Sequence, residues 1–417
     1  SNARQGWLYT NRINFTLLSY DGILFLANSS EREAFLMERL TVLLALMALD
    51  AGGAETHAVS LAKQLKKRGI DVIVASHGGK LTKALEESGI EHYTLPLDRK
   101  SPLNLIYSVN GLADIVKKHE VNIIHAHARI PAWVSQWVSF MTGCPYITTS
   151  HGIYSTGWGM GLITTWGRKV IAVSEDVKKH LINGFKVNPD KISVIPNGID
   201  LEQFNPKVDS SQIEKQLGLK QDDLKIIYIS RLMGARGEIA LRLIEAMPEI
   251  GKVFPTVKLV VVGEGDKYEA IKQLAAECNS KASENKVIIT GARLDTPLFM
   301  NMADVAVGVG RVALEAMAME KPVIIAGEAG FMGILSPENF KMAKKHNFSG
   351  RGAEMRTNAV NMADAIKALL SDAELRKKLG TFGRQEVAKY FSIETMTDEV
   401  LKVYHQVIEE EKNELNR

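Results

Sequence analysis

Two arginines stand directly after an apolar run in the second half of the chain. In the segment "SRLMGARG", Arg231 and Arg236 follow the apolar run at residues 225–230. A guanidinium can donate paired hydrogen bonds to phosphate oxygens, so two guanidinium groups at a strand end favour a phosphate site. Two solvated surface arginines are the alternative interpretation.

Glycine-rich loops follow other apolar runs, and two of them open a predicted helix. Free N–H groups and the macrodipole make a helix N-terminus attractive to phosphate, and glycine lets a ligand come close. A tight turn is the alternative for the first loop, which also lacks the G-x-G-x-x-G pattern of a dinucleotide-binding dehydrogenase. The loops contain Gly52 and Gly53, Gly263 and Gly265, and Gly308 and Gly310.

A carboxylate lies about one helical turn beyond the last of these loops. Glu315 stands among the apolar residues of "RVALEAMAM", a segment that begins at Arg311, directly after Gly310. A carboxylate in this position can accept hydrogen bonds from both hydroxyls of a ribose, while the glycines admit a phosphate. The pattern therefore favours a nucleotide site, although a single glutamate on a helix is usually solvated.

Three histidines stand at the ends of apolar runs in the first half of the chain. His125 and His127 occur in "NIIHAHAR", and His151 occurs in "YITTSHGIYS". No carboxylate cluster or His-x3-His helix accompanies them in the sequence, so we predict no metal site. We expect His125 to be a packed core residue and His151 to hydrogen-bond a sugar hydroxyl or a phosphate as a neutral imidazole.

Alternating strands and helices must position these residues. Apolar runs that alternate with helical patterns predict parallel sheets covered on both faces, and two series of runs predict two doubly wound domains. Ligands bind such sheets at the carboxyl ends of the strands. The strands are expected at 41–48, 71–76, 91–96, 122–126, 145–150 and 169–173, then at 225–230, 257–262, 286–290, 304–307 and 322–326.

The predicted domain boundary follows "SVIPNGIDLEQFNP". We expect a first domain at 37–206 and a second at 207–391, followed by a helix at 392–417. Residues 1–36 form an extension in which Asp21-Gly22, between β-rich arms, is typical of a hairpin turn.

Composition restricts the class of protein. A chain of 417 residues is too long to fold around a single hydrophobic core, and its net charge of +3 is too small to indicate nucleic-acid binding. Its two cysteines fit a reducing cytoplasm, and its longest apolar run falls short of a bilayer span. The basic run "KQLKKRG" could contact anionic lipid at the inner membrane face, although it also suits a helix C-terminus.

The ordered set of motifs resembles the retaining, nucleotide-sugar-dependent glycosyltransferases of family 4, or group 1, which have the GT-B fold. The resemblance covers residues 38–410, and its specificity lies in the order of the pieces. They are "GGAETHAVSLAKQLKKRGIDV", "IIHAHAR", "TTSHGIYS", "VIAVSEDVKKHL", "KISVIPNGIDLEQFNP", "IYISRL", "LVVVGEGDKYEAI", "ADVAVGVGRVALEAMAMEKPVI" and "LRKKLGTFGRQEVAKYFS".

The resemblance implies two Rossmann-like domains that face a cleft, with the nucleotide diphosphate on the second domain and the acceptor on the first. It also implies that the C-terminal helix, at 392–417, crosses back to the first domain. It implies that Arg231 binds the diphosphate, that Arg236 replaces a usual lysine in that task, and that Glu315 holds the ribose hydroxyls. His151 would contact the donor sugar and act in catalysis with the two arginines. The other residues assigned to donor binding are Gly53, Gly263, Gly265, Arg293, Gly308, Gly310 and Arg311, and those assigned to the acceptor side are His127 and Glu55.

The chain departs from the family at one position. Eight residues before Glu315 the family places a glutamate beside the donor sugar, and this chain has Val307. We therefore expect weaker recognition of the sugar than of the nucleotide, and a change of donor preference or rate in Val307→Glu.

The function implied is transfer of a hexosyl group from a nucleotide-diphosphate sugar, with a UDP-sugar favoured, to a hydroxyl of a glycan, lipid or small molecule, as in polysaccharide biosynthesis. The anomeric configuration would be retained, and neither a metal nor another cofactor is expected. Two alternatives remain at this point: a nucleotide-sugar epimerase and a non-catalytic partner subunit.

Overall fold

The computed structural model describes residues 40–50, 52–157, 164–282 and 286–415. The hairpin predicted around Asp21-Gly22 lies outside these residues. All the elements below belong to one unit, Thr41–Arg417.

The first domain is built on a seven-stranded parallel sheet with the order β3-β2-β1-β4-β5-β6-β7. Its central strands are almost wholly buried because helices cover both faces, which explains their continuous apolar sequences. The strands are β1 (Thr41–Ala45), β2 (Asp71–Ser76), β3 (Glu91–Thr94), β4 (Ile123–Ala126), β5 (Tyr146–Ser150), β6 (Val170–Ala172) and β7 (Ile192–Val194).

Five helices connect these strands. Local sequence sets their ends: Ser101 accepts a hydrogen bond from the Asn104 N–H at the start of α3, and Gly143, with φ of 75°, ends α4 in the left-handed conformation. The helices are α1 (Gly53–Lys67), α2 (Thr82–Glu86), α3 (Pro102–Lys118), α4 (Arg129–Thr142) and α5 (Glu175–Phe185), and a 3-10 turn at Pro189–Lys191 precedes β7.

The second domain has a six-stranded sheet with the order β10-β9-β8-β11-β12-β13. All its pairings are parallel except that of β12 with β13. Apolar clusters pack on both of its faces. The strands are β8 (Lys225–Ile229), β9 (Lys258–Val262), β10 (Val287–Ile289), β11 (Val305–Gly308), β12 (Val323–Gly327) and β13 (Gly330–Ile334).

Nine further helices complete the described part of the chain. They are α6 (Ser211–Gln216), α7 (Gly234–Val253), α8 (Tyr268–Ser280), α9 (Thr296–Asn301), α10 (Arg311–Ala318), α11 (Pro337–Lys345), α12 (Ala359–Ser371), α13 (Ala373–Tyr390) and α14 (Ile393–Leu415). Within the described ranges, none of the helices has both the length and the apolarity that a bilayer crossing requires.

Helix α14 returns to the first domain, as expected. It packs on α1, and the Tyr404 hydroxyl lies 2.7 Å from His125 Nδ1 in β4. The basic run at the end of α1 supports this contact, since Arg68 NH1 donates to Asp398 Oδ1 at 2.5 Å. Lys66 and Lys67 pair with Asp71 and Glu202. Three of the four basic side chains of this run thus have acidic partners within the protein, and the predicted membrane contact stays a prediction.

The fold class is confirmed, and each of the eleven predicted strands is present with ends that shift by a few residues. Two short strands were not predicted. The segment "KISVIP", just before the predicted domain boundary, was assigned no strand, whereas Ile192–Val194 pairs with β6. Strand β13 contains two glycines, which weaken the strand signal in its sequence.

Candidate active site

The predicted site residues gather where strands of both sheets end. His127 and His151 follow β4 and β5 of the first sheet, and Arg231 follows β8 of the second. Parallel strands direct all their carboxyl ends to one edge of a sheet, so residues distant in sequence meet there.

One ion pair joins the two domains across this region. Arg231 NH2 donates to Glu55 Oε2 at 2.9 Å, from the loop after β8 to the first turn of α1. A Cβ at Gly52 would overlap the Arg231 guanidinium, so glycine is required there by the close approach of a side chain from the other domain. A second pair, Arg351 Nε to Asp176 Oδ2 at 2.6 Å, also crosses between the domains.

The N-terminus of α1 opens to unfilled space beside this pair. A Cβ built at Gly53 has no described heavy atom within 4 Å, and no side chain caps the helix. The first N–H groups of α1 therefore lie close to the Arg231 guanidinium, and this combination suits an anion. Arg236 lies in the first turn of α7 and is exposed, so its guanidinium can also reach a ligand in solvent.

Gly263 and Gly265 have a structural role. Gly263 donates its N–H to Gly291 O at 2.9 Å, and a Cβ there would overlap Ser230 O. A Cβ at Gly265 would overlap the backbone of Leu232. Both glycines let the loop after β9 pack on the loop after β8, so they shape the surroundings of Arg231. Their predicted contact with the nucleotide stays a prediction.

Gly310 begins α10 in a conformation that requires glycine, with φ of 58° and ψ of −128°. Its N–H is occupied by Phe348 O at 3.0 Å, but no side chain caps the helix. A Cβ at Gly308 would meet Val312 Cγ1 at 2.9 Å. The N–H groups of the first turn, which begins at Arg311, are therefore the donors that α10 offers to a ligand.

Glu315 is buried and paired with Arg311 one turn earlier. Arg311 Nε donates to Glu315 Oε1 at 2.8 Å, and Arg311 NH1 donates to Gly198 O at 3.0 Å. Burial raises the pKa of Glu315, while the Arg311 guanidinium acts in the opposite direction. Oε2 accepts no hydrogen bond from a described residue. Arg311 thus holds one carboxylate oxygen and leaves the other for a hydroxyl donor.

The structure corrects the expectation about Val307. The connection between β11 and α10 consists of Val309 and Gly310 alone, so position 307 lies inside the strand. Val307 is 1% exposed and packs in the apolar core with Tyr228 and Ile324. A side chain at this position faces the core and cannot contact a sugar, so the expected effect of Val307→Glu on donor preference is wrong.

Arg293 forms contacts within its own loop. Its guanidinium donates to both carboxylate oxygens of Asp295, at 2.8 and 2.6 Å, and lies over the Phe299 ring. This pairing lowers the pKa of Asp295 and fixes the direction of the arginine. The predicted donor contact of Arg293 stays a prediction.

His125 is a core residue, as expected. Its two nitrogens lie 2.7 Å from Tyr404 Oη and 2.6 Å from Thr149 Oγ1. Burial lowers its pKa to about 3, so the ring is neutral at neutral pH.

His127 and His151 lie side by side at the sheet edge, and His127 Nδ1 is 3.1 Å from His151 Nε2. Burial lowers the pKa of His151 to about 4, and burial together with the neighbouring histidines lowers the pKa of His127 well below its ordinary value. Both rings are therefore neutral at neutral pH and can donate and accept hydrogen bonds.

A third histidine, His57, was missed from the sequence. It lies on α1, 2% exposed, with its ring centroid 5.0 Å from that of His151 and 5.8 Å from that of His127. Its position four residues after Gly53, one turn into the helix that opens at the glycine pair, is the signal that points to the same edge. The prediction of no metal site rested on the lack of a ligand cluster in the sequence, whereas the three imidazoles meet in the folded protein. The separate prediction that the reaction needs no metal stays a prediction.

Comparisons with known proteins agree with this architecture. The Glycosyltransferase Family 4 model matches residues 51–203, and the Glycosyl transferases group 1 model matches residues 209–386. The chain is 24% identical over 385 residues to the N-acetyl-alpha-D-glucosaminyl L-malate synthase of Bacillus anthracis, covering 87% of this chain and 96% of that protein.

Two solved structures share the fold. A glycosyltransferase from Rickettsia africae is 25% identical with a TM-score of 0.70, over 88% of this chain and 99% of the other. Anabaena HepE, in complex with UDP and glucose, is 20% identical with a TM-score of 0.69, over 88% of this chain and 100% of the other. With its two parallel sheets, its returning helix and both family matches, the chain belongs to the group 1 glycosyltransferases of the GT-B fold and is an enzyme that uses nucleotide-sugar donors.

Proposed function

We propose that the enzyme transfers a hexosyl group from a UDP-sugar to an acceptor hydroxyl of a glycan, lipid or small molecule, with retention of the anomeric configuration. The observation that carries the proposal is the position of Arg231, which extends from the second domain to the uncapped N-terminus of α1 in the first. A guanidinium and a helix N-terminus together form a site for a diphosphate at the junction of the two domains.

The principal task of the site is to stabilise the departing diphosphate. During transfer, the bond between the anomeric carbon and the diphosphate oxygen breaks, and a bond from the acceptor oxygen forms on the same face of the sugar. The acceptor proton passes to the leaving phosphate. Arg231, Arg236 and the first N–H groups of α1 compensate the negative charge that develops, which requires no metal ion and no protein nucleophile.

Glu315 is proposed to hold the nucleoside. Its Oε2 is available to a ribose hydroxyl, and Arg311 fixes the carboxylate in place through Oε1 and through Gly198 O. The N-terminus of α10, opened by Gly310, lies one turn away and suits the phosphate that follows the ribose.

His151 is proposed to recognise the transferred sugar. It is half-buried and neutral, so it can hydrogen-bond a sugar hydroxyl without a charge. Because Val307 faces the core, no carboxylate at that position shares the task. His127, which lies next to it, and Glu55, in the first turn of α1, are proposed to lie on the acceptor side.

The proposal of UDP as the nucleotide is based on similar proteins, not on the geometry of this site. Anabaena HepE was crystallised with UDP and glucose, and the relative in Bacillus anthracis is named for transfer of N-acetylglucosamine to malate. We also propose a cytoplasmic location, for which the free thiols Cys144 and Cys278 give support.

Calorimetry with the full chain tests the nucleotide site. UDP should bind, and Arg231→Ala and Glu315→Ala should each weaken binding roughly 10- to 100-fold, because a charge-assisted hydrogen bond contributes about 1.5–3 kcal/mol. Arg242→Ala is the matched control, since Arg242 is an exposed arginine of α7 that pairs with Glu245. If both site variants bind UDP, GDP and ADP as the parent does, the site is misplaced.

Product analysis tests the reaction. Incubation of a UDP-sugar with the enzyme and an acceptor should release UDP and give a glycoside whose anomeric configuration, read by proton NMR, matches the donor. An inverted product would refute retention. Conversion of the donor sugar without an acceptor would favour the epimerase alternative.

A further inference from the structure

We propose that His57, His127 and His151 form a binding site for one transition-metal ion of the zinc type. The three residues come from helix α1 and from the ends of strands β4 and β5. Imidazole is a preferred ligand of Zn²⁺, and three protein ligands with an open fourth position are a common zinc arrangement.

The separations fit such a site. One ring nitrogen from each residue lies within 4.8 Å of the others. His127 Nδ1 and His151 Nε2 are 3.1 Å apart, close to the roughly 3.3 Å between two ligands of a tetrahedral zinc with bonds of about 2.0–2.1 Å. The ring centroids form a nearly equilateral triangle with sides of 5.0, 5.4 and 5.8 Å. Small side-chain rotations would bring all three rings to one ion.

One candidate ligand atom of this cluster lacks a hydrogen-bond partner. His57 Nδ1 is buried from solvent and has no partner among the described residues, whereas His127 faces His151 through Nδ1, so its own unpartnered Nε2 is not counted toward the site. Buried polar atoms are normally satisfied, and those that are not point to a missing ligand.

The charge state favours metal binding over anion binding. The pKa values of His57 and His127 lie well below their ordinary range and that of His151 is about 4, mainly because of burial. Neutral imidazoles present lone pairs to a cation at neutral pH. Arg311 lies near His57, but its charge is balanced by Glu315 at 2.8 Å.

His125 supports the cluster without being a ligand. Its ring centroid lies 4.1 Å from that of His127, and both of its nitrogens are engaged, with Tyr404 and Thr149. A packed neighbour of this kind restricts the orientation of the His127 ring, which reduces the cost of ordering a ligand.

The ion would regulate transfer rather than take part in it. If His151 binds the donor sugar, as the proposed function states, it cannot bind an ion with the same lone pair. Zinc would therefore compete with the sugar nucleotide. This consequence rests on the proposed function, whereas metal binding itself does not.

Cobalt titration of the full chain tests the site directly. After treatment with a chelator and dialysis, the protein should bind one Co²⁺ per chain with the intensified visible absorption of a four-coordinate ion, and Zn²⁺ should displace it. Loss of an outer-shell partner weakens metal sites about 10–100-fold, so His57→Gln, His127→Gln and His151→Gln should each weaken binding at least about 100-fold. His77→Gln is the control, because His77 is an exposed histidine outside the cluster.

An NMR measurement on the wild-type chain tests the site even if the histidine variants fail to fold. Zn²⁺ should shift the NMR signals of the His57, His127 and His151 ring protons in slow exchange and leave those of His77 in place. Absence of these shifts, or equal Co²⁺ binding by all the folded variants, would overturn the proposal. A chain that binds zinc but no nucleotide would support this site and refute the proposed function. A chain that binds nucleotide but no zinc would support the proposed function and refute this site.

Discussion

Removal of the Glu55 carboxylate should strengthen nucleotide binding. In the structure Glu55 Oε2 accepts a hydrogen bond from Arg231 NH2 at 2.9 Å. If Arg231 binds the diphosphate, Glu55 competes with it for the same guanidinium. Glu55→Gln keeps the size of the side chain and removes the charge, so it should release Arg231 for the ligand.

The magnitude follows from the exposure of the pair. The side chains of Arg231 and Glu55 are 42% and 22% exposed, so solvent screens their attraction. Ion pairs of this kind contribute about 0.2–1 kcal/mol, which limits the decrease in Kd for UDP to about fivefold. Arg231→Ala should raise Kd roughly 10- to 100-fold, because it removes charge-assisted contacts.

Calorimetry on a double-mutant cycle separates competition from an unrelated effect. Glu55→Gln should tighten UDP binding in the parent and have no effect in the Arg231→Ala background, since the competition acts through Arg231 alone. Glu245→Gln is the matched control, because Glu245 also accepts from an exposed arginine, Arg242, away from the site. Weaker UDP binding by Glu55→Gln, or an equal gain in both backgrounds, would refute the reasoning.

Three further predictions concern the reaction and the core. Transfer should be no slower in EDTA, because arginines and helix N-termini stabilise the leaving group; an EDTA-dependent loss that Mg²⁺ restores would contradict this mechanism. Val307→Glu should lower the free energy of unfolding by several kcal/mol, because the substitution buries a carboxylate in an apolar core. Urea denaturation measures this loss, and Val307→Ile, which keeps the side chain apolar, should change the free energy of unfolding little. Arg311→Ala should destabilise the enzyme more at about pH 8 than at about pH 5. Burial already raises the folded-state pKa of Glu315, so the contribution of this carboxyl to stability falls as pH rises through that pKa. Loss of the Arg311 guanidinium removes the interaction that lowers this pKa, so more stability is lost at the higher pH. Equal losses of stability at both pH values would show that Glu315 is not the group responsible.

Much of the fold could be read from the sequence because its signals are local. Runs such as "DVIVAS" and "KLVVV" are apolar throughout since both faces of a parallel strand are covered, and helical spacing between them gives the alternating order. Strand β13 was not predicted, because it lacks such a local signal. Its glycines carry no apolar signal, and its antiparallel pairing with β12 depends on the preceding turn.

The edge of the site was also predictable from local features. Residues that directly follow parallel strands must lie at one edge of a sheet, which places Arg231, His127 and His151 without knowledge of any contact. The length of a connection is less visible. Position 307 was predicted as the last residue of a strand, with its side chain beside the donor sugar, whereas β11 continues to Gly308 and only Val309 and Gly310 separate it from α10, so Val307 belongs to the core.

The sequence by itself therefore determined the two-domain α/β fold and the edges at which chemistry takes place, because strand and helix signals and strand-end positions depend on near neighbours in the chain. The tertiary structure alone decided which side chains meet. Glu55 and Arg231 are separated by 176 residues, and the cluster of His57, His127 and His151 combines one helix with two strands. These contacts depend on how helices pack on the sheet and how one domain packs on the other, and no local pattern in the chain encodes a distance of that kind.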